Sequence, residues 1–308
     1  MKKYVNIIGK IISLLSLIFI VVAVYKLGFD TSVISNIPIF VVLVFVSALL
    51  LCCSTYMLGY AWKIWLSYFT ENKICTFDAQ RVYAKANIGK YLPGNVMHYV
   101  ERNIFAAKLG LDQNAVALSS IFEIIDMVIA ALLVAICFSM DNFKSALYKV
   151  ADIKEIIVIG AGIVVCIVVI AIFFRKKICF LIQKYFKKNF LKHFIWCMPI
   201  YILALVLGGV IMVALYWYMG NSITMSVCFN IISCYIISWV IGFIVPGAPG
   251  GIGVREFVLV FLLQNRVGQN TILTMAVIHR LITIIGDLLA YGVAICIKYD
   301  LKAERFER

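Results

Sequence analysis

Residues 88–94 read Ile88-Gly89-Lys90-Tyr91-Leu92-Pro93-Gly94, and residues 241–247 read Ile241-Gly242-Phe243-Ile244-Val245-Pro246-Gly247. Both share the pattern Ile-Gly-x-x-x-Pro-Gly, and a charged pair follows each copy at nearly the same offset, Glu101-Arg102 and Arg255-Glu256. Proline removes a backbone donor and glycine relaxes steric limits, so a Pro-Gly break at membrane depth frees backbone groups that protein or water must satisfy. Paired breaks in two halves of a membrane protein are typical of a transport site.

The composition indicates a membrane protein. The chain is 64% hydrophobic and 14% charged, with a mean hydropathy of +1.03. A hydrocarbon core needs about 20 mostly apolar residues per helix. Seven runs meet this need, at approximately 7–25, 37–61, 115–140, 156–174, 194–220, 225–245 and 271–297. Two shorter stretches, 94–109 and 251–263, are predicted to be re-entrant or half-length helices.

The sequence therefore predicts an all-α integral membrane protein with seven to eight transmembrane helices and two Pro-Gly re-entrant segments in an internal repeat. Residues 1–308 form a single polytopic domain in this prediction. Its repeat halves span about 1–174 and 194–298, joined by a basic cytoplasmic loop at 175–193.

The distribution of lysine and arginine predicts the orientation. Cytoplasmic loops are enriched in these residues, and they cluster before the first run, between the second and third runs, and in 175–193. We therefore expect a multi-pass protein of the cell membrane with a cytoplasmic N-terminus. Seven spans would leave the C-terminal tail outside, although its basic residues favour the cytoplasm. An eighth crossing near 252–263 would resolve the conflict.

The net charge of +13 would suggest nucleic acid as the partner of a soluble protein. Here the basic residues flank membrane segments, where they set topology and attract anionic lipid, so no nucleic-acid partner is expected. Residues 78–90 resemble a basic helix lying in the membrane interface. The ten cysteines lie mostly in apolar runs, which favours buried thiols over disulfides or a zinc site, and no cofactor or metal is expected.

Charged residues inside the apolar runs are candidates for function. Glu123 and Asp126 share a helix face, as do Arg280 and Asp287. Such charges usually turn inward and pair or line a water-filled path. We expect Glu123 or Asp126 to pair with Arg280, either as a purely structural contact or as part of a transport path. The proximity of the two acids also leaves proton coupling open.

The second break is rich in glycine. Residues 246–253 contain Pro246, Gly247, Gly250, Gly251 and Gly253, and Arg255 follows directly. A glycine-rich turn at a helix N-terminus offers free N–H groups to a phosphate, and Arg255 would add a bidentate contact. The alternative is a tight turn in which glycine serves only close packing.

These motifs resemble the transmembrane flippase-domain family of the lysylphosphatidylglycerol synthases. The resemblance covers essentially the whole chain. It is carried by Pro246-Gly247-x-x-Gly250-Gly251-x-Gly253-x-Arg255-Glu256 and by the first motif with Lys90, Pro93, Gly94, Asn95, His98 and Arg102. It implies a domain that moves aminoacylated phosphatidylglycerol between leaflets. It further implies a stand-alone member, because 308 residues of mostly membrane sequence leave no room for the aminoacyl-transferase domain.

The combined expectation is a lipid translocase whose partners are membrane lipids with an anionic phosphate. Arg102, Arg255 and Arg280 would bind the phosphate, while Glu123, Asp126 and Asp287 would balance charge or meet a cationic headgroup. One alternative is an integral-membrane transferase for a polyprenyl phosphate or phospholipid, with Mg²⁺ between Glu123 and Asp126 and His98 as a base. Another is a non-catalytic scaffold for envelope-biosynthesis enzymes. A homo-oligomer is also left open.

Overall fold

The computed structural model describes residues 36–70, 74–92, 96–138, 189–244, 251, 253–264 and 266–296. Within these ranges the chain forms α-helices and no strands. The helices are α1 (Ile37–Phe69), α2 (Thr76–Asn87), α3 (Met97–Lys108), α4 (Gln113–Phe138), α5 (Phe190–Tyr218), α6 (Met225–Ile244), α7 (Val254–Leu263) and α8 (Gln269–Cys296). A 3₁₀ turn, Ile88–Tyr91, continues α2.

The predicted fold class, an all-α multi-pass membrane protein, is confirmed. Five of the described helices, α1, α4, α5, α6 and α8, are long and apolar enough to cross a membrane. Their surfaces carry large exposed apolar side chains, such as Val42 at 61% exposure and Trp196 at 65%, which suits lipid as the surrounding solvent. The predicted runs 7–25 and 156–174, the loop 175–188 and the C-terminal tail lie outside the described residues.

Helices α6 and α7 form an antiparallel hairpin. Arg266, just beyond the end of α7, donates through Nη1 to the Ser226 hydroxyl at the start of α6, over 3.4 Å. At about 1.5 Å per residue, ten-residue α7 returns along half of twenty-residue α6. The Arg266–Ser226 contact shows that the chain just beyond α7 comes back beside the start of α6. Helix α7 covers the predicted eighth crossing near 252–263 with ten residues, about half the length that a membrane span needs.

Helices α2 and α3 form the corresponding hairpin in the first half. Ile74 and Ala79 share an apolar cluster with Ala106 and Leu111 at its open end. Near the break, a Cβ built on Gly89 would lie 2.9 Å from the backbone nitrogen of His98. Because α2 is buried among α1, α3 and α8, the prediction of an interfacial helix at 78–90 is wrong. The segment is an inner hairpin arm.

The same order of elements occurs twice in the described chain. Each set consists of a long helix, two hairpin arms and a second long helix, first as α1 to α4 and then as α5 to α8. Helix α2 packs on α8 as α6 packs on α4, and α1 packs on α8 as α5 packs on α4. If each helix of α1 to α4 is exchanged with its counterpart in α5 to α8, every pair of contacting α-helices maps onto another contacting pair. This correspondence covers 37–138 and 190–296.

Small residues allow the first long helix of each set to approach its hairpin. A Cβ on Gly59 of α1 would lie 2.9 Å from the Cα of Gln80 in α2. A Cβ on Gly209 of α5 would lie 2.9 Å from a methyl carbon of Ile232 in α6. Such close backbone contacts drive helix association where lipid removes the hydrophobic difference between the interior and its surroundings. Both hairpins are thereby fixed against the central α1–α5 pair.

Candidate functional site

A cavity of about 210 Å³ lies among α1, α5, α8 and the two hairpins. We call it the central cavity. Six of the predicted site residues line it: Lys90, His98, Arg255, Glu256, Arg280 and Asp287. They come from both repeated motifs and from α8, so the fold brings together the candidates that lie far apart in sequence.

The carboxylate of Asp287 anchors the first motif to α8. It accepts the Lys90 ammonium at 2.7 Å, the amide of Asn87 at 2.7 Å and the hydroxyl of Tyr91 at 2.5 Å. The Asp287 residue is only 4% exposed. Three donors at one buried carboxylate fix it in position.

The carboxylate of Glu256 anchors the second hairpin to α8 in a similar way. One oxygen accepts the backbone N–H of Gly253 at 2.7 Å, and the other accepts Arg280 Nε at 3.0 Å. A φ of +85° at Gly253 suits glycine at this helix start. The sequence predicted free N–H groups here for a phosphate. At Gly253 that prediction is wrong, because Glu256 already occupies the position that favours negative charge.

The side chain of Arg255 passes between two glycines. A Cβ on Gly251 would lie 2.6 Å from Arg255 Nε, and a Cβ on Gly242 would overlap the Arg255 side chain. The φ of +75° at Gly251 also favours glycine. These two glycines therefore form a slot that directs Arg255 into the central cavity. The glycines of the second motif serve side-chain placement as well as the turn.

Arg255 has no carboxylate partner within the described part of the chain. Its Nε is buried without a hydrogen bond there, and its guanidinium lies 5.7 Å from the centre of the Trp239 ring. Burial, and next the positive charge of Arg280, lower the pKa of Arg255 to about 10. The group remains a cation at neutral pH, and no carboxylate of the described residues forms an ion pair with it.

His98 is a neutral polar group in the central cavity. Burial, together with the positive charges of Arg102 and Lys90, holds the pKa of His98 well below its ordinary value. Its Nδ1 is buried and has no hydrogen-bond partner among the described residues. The hydroxyl of Tyr201, on the opposite repeat, is likewise buried without such a partner and lines the cavity. Both offer hydrogen bonds without charge.

Arg102 and Glu123 lie outside the cavity as a sealed ion pair. They bond to each other, and their side chains are 2% and 1% exposed. Glu123 also accepts the Tyr83 hydroxyl at 2.9 Å, while the Arg102 guanidinium lies 4.2 Å from the Tyr83 ring centre. The predicted phosphate contact of Arg102 finds no support here, because its charge is neutralised behind the cavity wall.

The predicted pairing of Glu123 or Asp126 with Arg280 is wrong. Arg280 pairs with Glu256 at 3.0 Å and Glu123 with Arg102, so each pair joins the second arm of a hairpin to the long helix that follows it. Asp126 is fully buried, and one of its oxygens accepts the Trp65 indole N–H at 3.2 Å. Glu123 thus faces Arg102 and Tyr83, and Asp126 faces Trp65; Mg²⁺ between the two acids stays a prediction of the transferase alternative.

Several residues that line the cavity were not predicted from the sequence. Tyr91 lies inside the repeated motif and was open to detection there. Asn87, Tyr201 and Trp239 lie in helices whose composition carries no comparable signal. The predicted residues Pro93, Gly94, Asn95, Pro246, Gly247 and Gly250 lie outside the described ranges. The described residues contain no group of three His, Cys, Asp or Glu side chains arranged to hold a metal ion.

The site as a whole defines a class. It is a cavity with a largely apolar wall and a cluster of three cations and two carboxylates, between two helical hairpins of a multi-pass membrane protein, with room for a small charged group. Comparison of the sequence with models of known protein families and with curated proteins finds no match to either.

Proposed function

We propose that this protein is a lipid translocase that moves a phospholipid or related lipid phosphate between membrane leaflets. The observation that carries the proposal is Arg255, a cation without a carboxylate partner in the described chain, held in a cavity between the two hairpins. An uncompensated charge is costly at membrane depth. Its retention in a built slot is explained by a ligand of opposite charge.

The proposed mechanism separates headgroup from tails. A phosphate is costly to move through hydrocarbon, and the cavity replaces its hydration with the Arg255 guanidinium and with the uncharged hydrogen-bonding groups of His98 and Tyr201. The volume of about 210 Å³ accommodates a headgroup and excludes long acyl chains, so the tails remain in lipid beside the hairpins. The resemblance to the lysylphosphatidylglycerol synthase flippase domains supports the same reading.

The proposal also sets location and partners. Basic clusters near the N-terminus and at 175–193 favour a cell-membrane protein with a cytoplasmic N-terminus. Anionic lipids are the proposed partners. The alternatives of a transferase and of an envelope-assembly scaffold predict no lipid exchange by the purified protein, and this difference decides between the classes.

The test is leaflet exchange of acyl-labelled phosphatidylglycerol in proteoliposomes, read by quenching of the outer-leaflet label. We expect exchange faster than in protein-free liposomes, and we expect Arg255→Gln to lose most of it. Arg266→Gln is the matched control, because Arg266 is exposed at the open end of the α6–α7 hairpin. No acceleration by folded protein would reject the translocase proposal. Headgroup turnover with Mg²⁺ would then favour the transferase.

A further inference from the structure

We infer that the headgroup accepted by the central cavity is a phosphodiester with one net negative charge, a refinement that rests on the proposed translocase function. The charge balance of the cavity lining leads to this inference. The lining selects against both a phosphomonoester with nearly two negative charges and a headgroup that carries a net positive charge.

The lining carries one net positive charge. Its cations are Lys90, Arg255 and Arg280, and its carboxylates are Glu256 and Asp287, so three positive charges less two negative charges leave one. His98 adds none, because it is neutral, and His279, which also lines the cavity with its Nε2 3.2 Å from the Gly208 carbonyl oxygen, is counted as a neutral imidazole. Residues 93–95, 245–250 and 252 lie outside the described ranges and contain no charged side chain.

The two carboxylates are fixed in place and cannot leave cheaply when a ligand arrives. Asp287 holds three donors, two from the first motif and one from Asn87 just before it. Glu256 holds both a backbone N–H and Arg280. Breaking the first set would leave the buried Tyr91 hydroxyl without this acceptor, and breaking the second would remove the carboxylate paired with Arg280, which is 8% exposed. The charge available to a ligand is therefore the single charge of Arg255.

Headgroups of other charge fit less well for a physical reason. A second negative charge on the ligand would face Glu256 and Asp287 without a cation to meet it. An amine on the ligand would place like charge beside Arg255. At the low effective dielectric of a membrane interior such mismatches are weakly screened. His98 and Tyr201 supply hydrogen bonds to ester or hydroxyl oxygens without altering this balance.

The experiment compares four lipids with the same labelled acyl chain in proteoliposomes. They are phosphatidylglycerol with one negative charge, phosphatidic acid with more than one, zwitterionic phosphatidylcholine, and lysyl-phosphatidylglycerol with a net positive charge. We expect phosphatidylglycerol to exchange roughly tenfold faster than each of the others.

Charge variants then test the cause. Glu256→Gln raises the lining to two positive charges, while the amide oxygen can still accept the Gly253 N–H, and should shift the preference toward phosphatidic acid. Arg255→Gln removes the net charge and should abolish the preference for phosphatidylglycerol over phosphatidylcholine. Asp287→Asn, on α8, also removes one negative charge from the lining. If Glu256→Gln fails to fold, Asp287→Asn is tested in its place. Arg266→Gln should leave the preference unchanged.

The outcomes separate the two proposals. Exchange of no lipid above the protein-free rate rejects the translocase itself. Exchange with equal rates, or with phosphatidic acid or lysyl-phosphatidylglycerol preferred, overturns the charge rule and leaves the translocase standing. A folded Glu256→Gln or Asp287→Asn protein that keeps the original preference also overturns it.

Discussion

Breaking the sealed ion pair between Arg102 and Glu123 should destabilise the protein strongly. Glu123→Gln changes little in volume and removes the charge that neutralises Arg102, whose side chain is 2% exposed. Removing one partner of a buried pair typically costs 3–5 kcal/mol. The Tyr83 ring beside the guanidinium and the remaining amide oxygen offset part of this loss. We therefore expect a loss of about 3 kcal/mol.

The assay is unfolding in mixed micelles titrated with dodecyl sulfate, followed by circular dichroism. Two controls isolate the charge effect. Asp126 lies one helical turn from Glu123 and has no cation partner among the described residues. Asp126→Asn keeps an oxygen for the Trp65 N–H, so it should change stability by less than about 1 kcal/mol. The double variant Arg102→Met with Glu123→Met should recover most of the loss, because apolar replacement of a buried pair is often neutral.

A loss below about 1 kcal/mol for Glu123→Gln, within the range of exposed pairs, would refute this reasoning. The same conclusion would follow if the double variant were less stable than the single one. Either result would mean that Arg102 reaches water or another anion, and the pair would have to be reassigned from packing to the transport path.

Three further predictions concern the hairpins and the cavity. Gly251→Ala should lower the free energy of unfolding by about 1–2 kcal/mol because of the positive φ alone, and it should also displace the Arg255 side chain. The unfolding titration measures the first effect and the lipid-exchange assay the second. A normal rate of lipid exchange would contradict the glycine slot. Cysteines replacing Ser226 and Arg266 in a background without native cysteines should both be reached by an impermeant thiol reagent from one side of the membrane. Labelling from opposite sides would exclude the α6–α7 hairpin. Lys90→Met should lower the free energy of unfolding by less than Glu123→Gln does. The Lys90 side chain is 26% exposed, and Asp287 would keep two of its three donors. An equal loss in the unfolding titration would contradict that ranking.

The lengths of the long helices were accessible from sequence because they follow apolar composition. The predicted run 225–245 corresponds to α6, Met225–Ile244, and 271–297 corresponds to α8, Gln269–Cys296. Within a bilayer, helix length is set by the hydrocarbon thickness, which leaves few alternatives. The Pro-Gly motifs likewise predicted where the chain turns back.

The partners of the buried charges were not accessible in the same way. Spacing along one helix showed that Glu123 and Asp126 share a face, but not which neighbouring helix supplies the opposite charge. That choice depends on the hairpin return, which places Arg102 of α3 against α4 and Glu256 of α7 against α8. A local pattern cannot resolve a contact created by the packing of whole elements.

The order of the two charged residues after each break explains why the free charge of the cavity is positive. In the first copy, Glu101 lies against the motif glycine, Gly89, and Arg102 pairs with the next long helix. In the second copy the order is reversed, so Arg255 lies against Gly242 and Glu256 makes the pair. The residue beside the glycine is thus an acid in one hairpin and a base in the other. Only Arg255 of these two lines the central cavity, and exchanging Arg255 and Glu256 should therefore abolish anionic lipid exchange even though the net charge of the chain is unchanged.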